Sequence, residues 1–166
     1  MMDERRRYHP VDAGDRQWHA LLAFVLERAD AFECAIPYPV ITQDLARLPL
    51  WPPALAAFRA DLVERHVSLI RWDTRQDYGT QYVRLRLGAA LAGWIASLRR
   101  LEDWSWRRGT PEDPAFFHGD QLLLSTESRD GRIAVYADPV DRDTLSHAGI
   151  RLLEPLGVRA EPWPTL

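Results

Sequence analysis

The dipeptide Asp130-Gly131 stands between two β-rich runs, "QLLLSTES" and "RIAVYAD", and no other feature restricts the fold of this 166-residue chain as much. Asp-Gly between alternating apolar runs is a strong hairpin signal, because a tight turn needs residues that tolerate positive φ. A two-residue turn sets Ser128 opposite Ile133, Thr126 opposite Val135 and Leu124 opposite Ala137. That register gathers Leu122, Leu124, Ile133 and Val135 on one face. A turn with a glycine bulge would shift the pairing by one and put Glu127 opposite Ile133. The apolar pattern favours the first register.

Further pairs of strands follow the same logic. "HVSLIRW" and "QYVRLRLG" predict a second hairpin, in which Arg84 and Arg86 alternate with Val83, Leu85 and Leu87. Phe32, Cys34 and Ile36 alternate in a strand closed by Pro37 and Pro39. Asp15 is expected to cap a helix carrying Trp18, Leu21, Leu22, Val25, Leu26 and Ala29. Pro52 and Pro53 suit the first turn of a helix with Leu55, Phe58, Leu62 and Val63. The strongest helical stripe is Leu87, Leu91, Trp94, Ile95, Leu98 and Leu101, with Trp94 expected against the sheet.

Asp138, with Pro139 and Asp141 behind it and Gly149 past the end, predicts a short capped helix. "IRLLEPLGV" adds an edge strand; the segment 40–53 is expected to be a proline-punctuated connection and the tail 159–166 irregular. Together these predict an α+β fold: an antiparallel sheet of hairpins with helices packed on one side. Residues 1–166 read as a single domain, with 1–14 as a mobile arm.

Two missing residue types narrow the chemistry. The chain has no lysine and no asparagine, and all 21 basic residues are arginine, a pattern that suits a high-GC bacterial genome. This excludes the P-loop lysine, Schiff-base lysine catalysis and the kinase strand lysine. Cys34 is the lone cysteine, which leaves no internal disulfide and no cysteine-rich zinc site. The start "MMDERRRYHP" lacks the apolar region of a signal peptide, so the cytoplasm is the expected compartment. No apolar run approaches a membrane span, and no cofactor is implied.

"PEDPAFFHGD" (111–120) is the densest cluster of reactive residue types. His118 and Asp120, with Glu112, Asp113 and Glu127, supply nitrogen and oxygen donors of the kind a divalent metal takes, as in a metal-dependent hydrolase. Pro111 and Pro114 argue instead for a loop leading into the Leu122 strand, and that reading is the stronger. Cys34 reads as a core residue rather than a nucleophile. Ser146-His147 lacks a nucleophile elbow. "DWSWRRG" can stack bases, yet a helix end closed by Gly109 explains the same letters, so nucleic acid is not the expected partner. Asp73 and Asp77 lack the pattern of a calcium loop.

The run 111–138, a proline-acid-aromatic loop, a hairpin and a short helix, resembles a phrase of small bacterial toxin-immunity proteins. The resemblance implies a non-enzymatic protein that covers a partner toxin; an accessory subunit of a larger complex is a further possibility. Charge points the same way. Residues 1–109 hold 16 arginines against 14 acids, whereas 110–166 hold 5 against 10. An acidic third suits a partner with a basic surface. The expected contact residues are Glu112, Asp113, Phe116, Phe117, Asp120, Glu127, Tyr136 and Asp143.

Overall fold

A computed structural model describes residues 5–11, 14–39, 51, 53–69 and 78–154. The fold is α+β, as expected, and centres on one antiparallel sheet in the order β3-β4-β2-β5-β6-β7-β1-β8. The strands are β1 (Arg6–Pro10), β2 (Ala31–Pro39), β3 (Leu62–Leu69), β4 (Tyr78–Arg86), β5 (Glu112–His118), β6 (Gln121–Glu127), β7 (Arg132–Ala137) and β8 (Leu152–Leu153). The α-helices are α1 (Asp15–Leu26), α2 (Ala89–Ser97) and α3 (Pro139–His147). A 3-10 helix, Pro53–Asp61, precedes β3.

The helices share one face of the sheet. Phe32, Cys34, Ile36, Val83, Leu85, Phe116, Leu124 and Val135 are buried there with Trp18, Leu21, Val25, Leu91, Ile95 and Leu145. Aromatic rings connect the layers. Phe58 meets Trp94 at 5.9 Å, Trp94 meets Trp104 edge-on at 5.7 Å, and Phe32 lies 5.6 Å from both Trp104 and Phe116. Each such ring buried is worth roughly 1.5–3 kcal/mol of transfer free energy, and the offset pairs add to it. Trp94 is only partly buried. It sits between Phe58 and Trp104 rather than fully beneath the sheet, and α2 ends at Ser97, before the stripe reaches Leu101. Leu101 is buried from a separate 3-10 turn.

The Asp130-Gly131 hairpin exists, in a register that neither turn anticipates. Thr126 faces Ile133, Leu124 faces Val135 and Glu127 faces Arg132. Ser128–Asp130 form a 3-10 turn closed by Gly131 at φ 65°, so four residues make the loop. The pairing moves by two residues, which keeps Leu124, Ile133 and Val135 on their expected face. A bulge in β6, however, pairs Leu122 with Phe117 on the opposite face and buries Leu123 in the core instead. Leu124, Ile133 and Val135 are accordingly buried, and Leu122 is half-buried.

Three expectations are corrected. The N-terminal segment is not a mobile arm at residues 6–10. Residues 6–10 form β1, which lies between β7 and β8 and buries Tyr8. "PEDPAFFHGD" is not a loop. Residues 112–118 form β5, an interior strand paired with β2 and β6. Pro111 lies just before the strand, and Pro114 is tolerated within it because β5 carries one extra residue there: Glu33 pairs with Ala115 but Ala35 with Glu112. Asp113, at φ 50°, takes the strained position of that bulge, and Pro114 needs no ladder N–H beside it. Leu62 and Val63 do not continue the helix of the Pro52-Pro53 segment; they open β3 and are exposed.

Local signals elsewhere hold with small shifts. Gly14, not Asp15, caps α1. Asp138 caps α3, accepting from the Asp141 N–H at 2.7 Å, with Pro139 in its first turn. Asp141 is buried and is approached by Arg5 at 3.0 Å and Arg28 at 3.3 Å, tying β1 and α1 to α3. Within the edge strand expected in 150–158, Leu152–Leu153 form β8, and 155–158 lie outside the described residues. Most of 40–53, the loop with Asp73 and Asp77, and the tail 159–166 lie outside the described residues.

Candidate functional site: the second face of the sheet

Cross-strand partners in an antiparallel sheet point to the same side, and alternate residues share a face. That rule, with the observed pairings, places Glu64 and His66 of β3, Tyr82 and Arg84 of β4, and Glu33 of β2 together, on the face away from the helices. Ala115 and Phe117 of β5, Ser125 of β6 and Ala134 and Tyr136 of β7 continue it.

Arg84 is the centre of this face. Its Nε donates to Glu33 Oε2 at 3.0 Å, and its guanidinium lies 4.0 Å from the centroid of the Phe117 ring. Both members of the ion pair are mostly shielded, with side-chain exposures of 22% and 14%. A shielded, stacked guanidinium is held far more firmly than a surface one, because its alternatives are desolvated. Beside it the His66 and Tyr82 rings stack at 5.0 Å and 15°.

Tyr82 is perturbed. Burial first, then the carboxylates of Asp113 and Glu33, hold its phenol above the ordinary tyrosine range. The native state therefore prefers the neutral phenol. Its contribution to stability is full below the unfolded tyrosine value of about 10 and is lost as pH rises through the higher native value. Alkaline titration followed by phenolate absorbance should show a late-ionising tyrosine that disappears in Tyr82→Phe. An unchanged titration in that variant would remove Tyr82 from this account.

The expected contact residues scatter. Phe116 is fully buried in the core, so it cannot serve as a surface anchor. Glu112 is buried too; it accepts from the Trp106 N–H and pairs with Arg129. Asp113 Oδ1 accepts from Ser128 N–H at 2.7 Å and Ser128 Oγ at 2.9 Å, so it fastens the hairpin turn. Asp120 is exposed in the β5–β6 turn, Glu127 is exposed and bonded to Arg132, and Asp143 is exposed on α3. Phe117, Tyr136 and, at the end of β6, Glu127 lie on the second face proper, with Asp113 acting on Tyr82 from its margin.

One acidic patch does not form. Glu112 and Asp113 begin β5 while His118 ends it and Asp120 follows, roughly 20 Å away at strand rise. The same separation breaks up the metal-ligand set. Among the described residues no group of three or more His, Cys, Asp or Glu side chains could hold a metal. His118 instead approaches Asp30 at 3.4 Å, whose carboxylate also caps the Gly119 N–H. Cys34 is wholly buried, and burial followed by the Glu33 charge pushes its thiol far up, so it is a core side chain.

Sequence reasoning missed Glu33, Glu64, His66 and Tyr82. The alternation of Arg84 with Val83 and Leu85 was the available signal for this face. Its partners come from strands far apart in the chain. Comparison with known proteins finds no matching family model, no matching curated protein and no matching solved structure. Among the described residues no helix is long and apolar enough to cross a membrane.

Proposed function

We propose that this chain is a protein-binding module that masks a partner through the second face of its sheet, without chemistry of its own. A bacterial immunity protein that covers a toxin is the concrete form of this reading, and the cytoplasm its compartment. The carrying observation is the Arg84 cluster, a guanidinium fixed by Glu33 and laid on Phe117 in the middle of a sheet face. Arginine and aromatic side chains dominate the energetics of protein interfaces, most of all when they are held in place before the partner arrives. The rigid ladder β4-β2-β5 supplies that preorganisation. The formal net charge of −3 favours a basic partner at long range.

Affinity capture from the source organism, with wild type and an Arg84→Ala, Phe117→Ala double variant as parallel baits, tests this. A protein retained by the wild type should bind the variant at least about 30-fold more weakly, as for loss of an interface hot spot. Reversing Asp120 and Asp143 to arginine should alter only the on-rate and its salt dependence. Indistinguishable captured sets from wild type and variant would defeat the proposal.

A further inference from the structure

The cluster around Arg84 leaves one part of the same face both aromatic and accessible. His66 is exposed on β3, backed by the Tyr82 ring at 5.0 Å in a nearly parallel stack. Glu64, also exposed, stands two residues away on the same strand and the same face, opposite Arg84. Among the described residues, the charges on this part of the face are three carboxylates, Glu64, Glu33 and Asp113, against the guanidinium of Arg84 and, farther along β4, that of Arg86.

A flat π surface beside an accessible carboxylate, in surroundings of net negative charge, matches a planar delocalised cation better than a compact one. Guanidinium is weakly hydrated on its faces and stacks on rings, while its edge donates two parallel N–H bonds to a carboxylate. An ammonium group has no plane to stack and loses more hydration on approach. We propose that the His66–Tyr82 stack, with Glu64 beside it, is the anchor point for an arginine side chain of the protein partner. This rests on the docking reading above and assigns its chemistry: the partner presents arginine, the outer ring face of His66 receives the guanidinium plane, and Glu64 takes its edge.

The probe is a capped Ala-Arg-Ala peptide, with lysine and citrulline analogues, titrated into the isotope-labelled full chain and followed by amide chemical shifts. The arginine peptide should shift His66, Tyr82 and Glu64 in a saturable way. The lysine analogue should bind several-fold more weakly and the uncharged citrulline analogue weaker still. Glu64→Gln should lower the arginine affinity about tenfold, the loss of one charge-assisted contact worth about 1.4 kcal/mol. His66→Ala should abolish the preference for arginine over lysine. Both side chains are exposed, so the variants remain folded. Equal shifts with citrulline, or arginine shifts confined to other regions, would overturn the assignment. If the arginine peptide fails while a captured partner still depends on Arg84 and Phe117, the anchor is wrong and the docking face stands. If the captured partner depends on neither, the docking face itself falls.

Discussion

Phe116→Ala should destabilise the protein by about 3–5 kcal/mol in chemical denaturation, the range for truncating a buried aromatic side chain. The ring has no exposed surface and lies 5.6 Å from Phe32, which in turn packs on Trp104. Removing it opens a cavity in the middle of an interior strand, where β2 and β6 restrain the backbone from collapsing into the space. The neighbouring Phe117→Ala should behave differently. That ring is half-buried on the opposite face, so its loss should cost about 1 kcal/mol of stability and weaken partner capture instead. A Phe116→Ala protein with a change under about 1 kcal/mol would mean that this ring is peripheral, as an interface anchor would be.

Deleting residues 2–10 should have a still larger effect. β1 is a short, charged strand, yet it separates β7 from β8 and is the strand to which β8 is paired. Its removal takes Tyr8 out of the core, bares the edge of β7 and leaves β8 without its ladder. It also withdraws Arg5, whose guanidinium approaches Asp141 at 3.0 Å and whose NH1 donates to the Tyr136 carbonyl. Asp141 would then keep only Arg28 as an ion-pair partner among the described residues. A buried aromatic and part of a shielded ion pair together represent about 5 kcal/mol or more. Typical total stabilities are about 5–15 kcal/mol, so the shortened chain should lie close to its unfolding limit. Thermal unfolding by circular dichroism reads this as a Tm fall of more than about 10 °C for a chain of this size. A fall of less than about 3 °C would restore the mobile-arm expectation for this segment.

These two outcomes mark where local pattern and tertiary arrangement part. The shared face of Leu124, Ile133 and Val135, the capped helix α3 and the alternation around Arg84 were legible, because each depends on residues within about ten positions of one another. The exact register at Asp130 was not. Turn length is decided by what holds the turn, and here Asp113, fifteen residues upstream, accepts two bonds from Ser128. β5 was hidden for a related reason. Proline and a run of charge signal a loop locally, and only a bulge fixed between two neighbouring strands makes room for Pro114 within a ladder.

The amino-acid sequence by itself determined the class of fold, the position of most β-rich runs and the exclusion of lysine chemistry. Those follow from periodicity and composition, which need no knowledge of what lies across the sheet. The adjacent phenylalanines show the limit. Period two puts Phe116 and Phe117 on opposite faces, but both are apolar, and nothing in their letters says which face is covered. The tertiary structure decided it by laying α2 and Trp104 over one side. It also brought Glu33, His66 and Tyr82, from positions up to 51 residues away, around Arg84. The second face is defined by long-range pairing, and a one-dimensional pattern cannot carry that information.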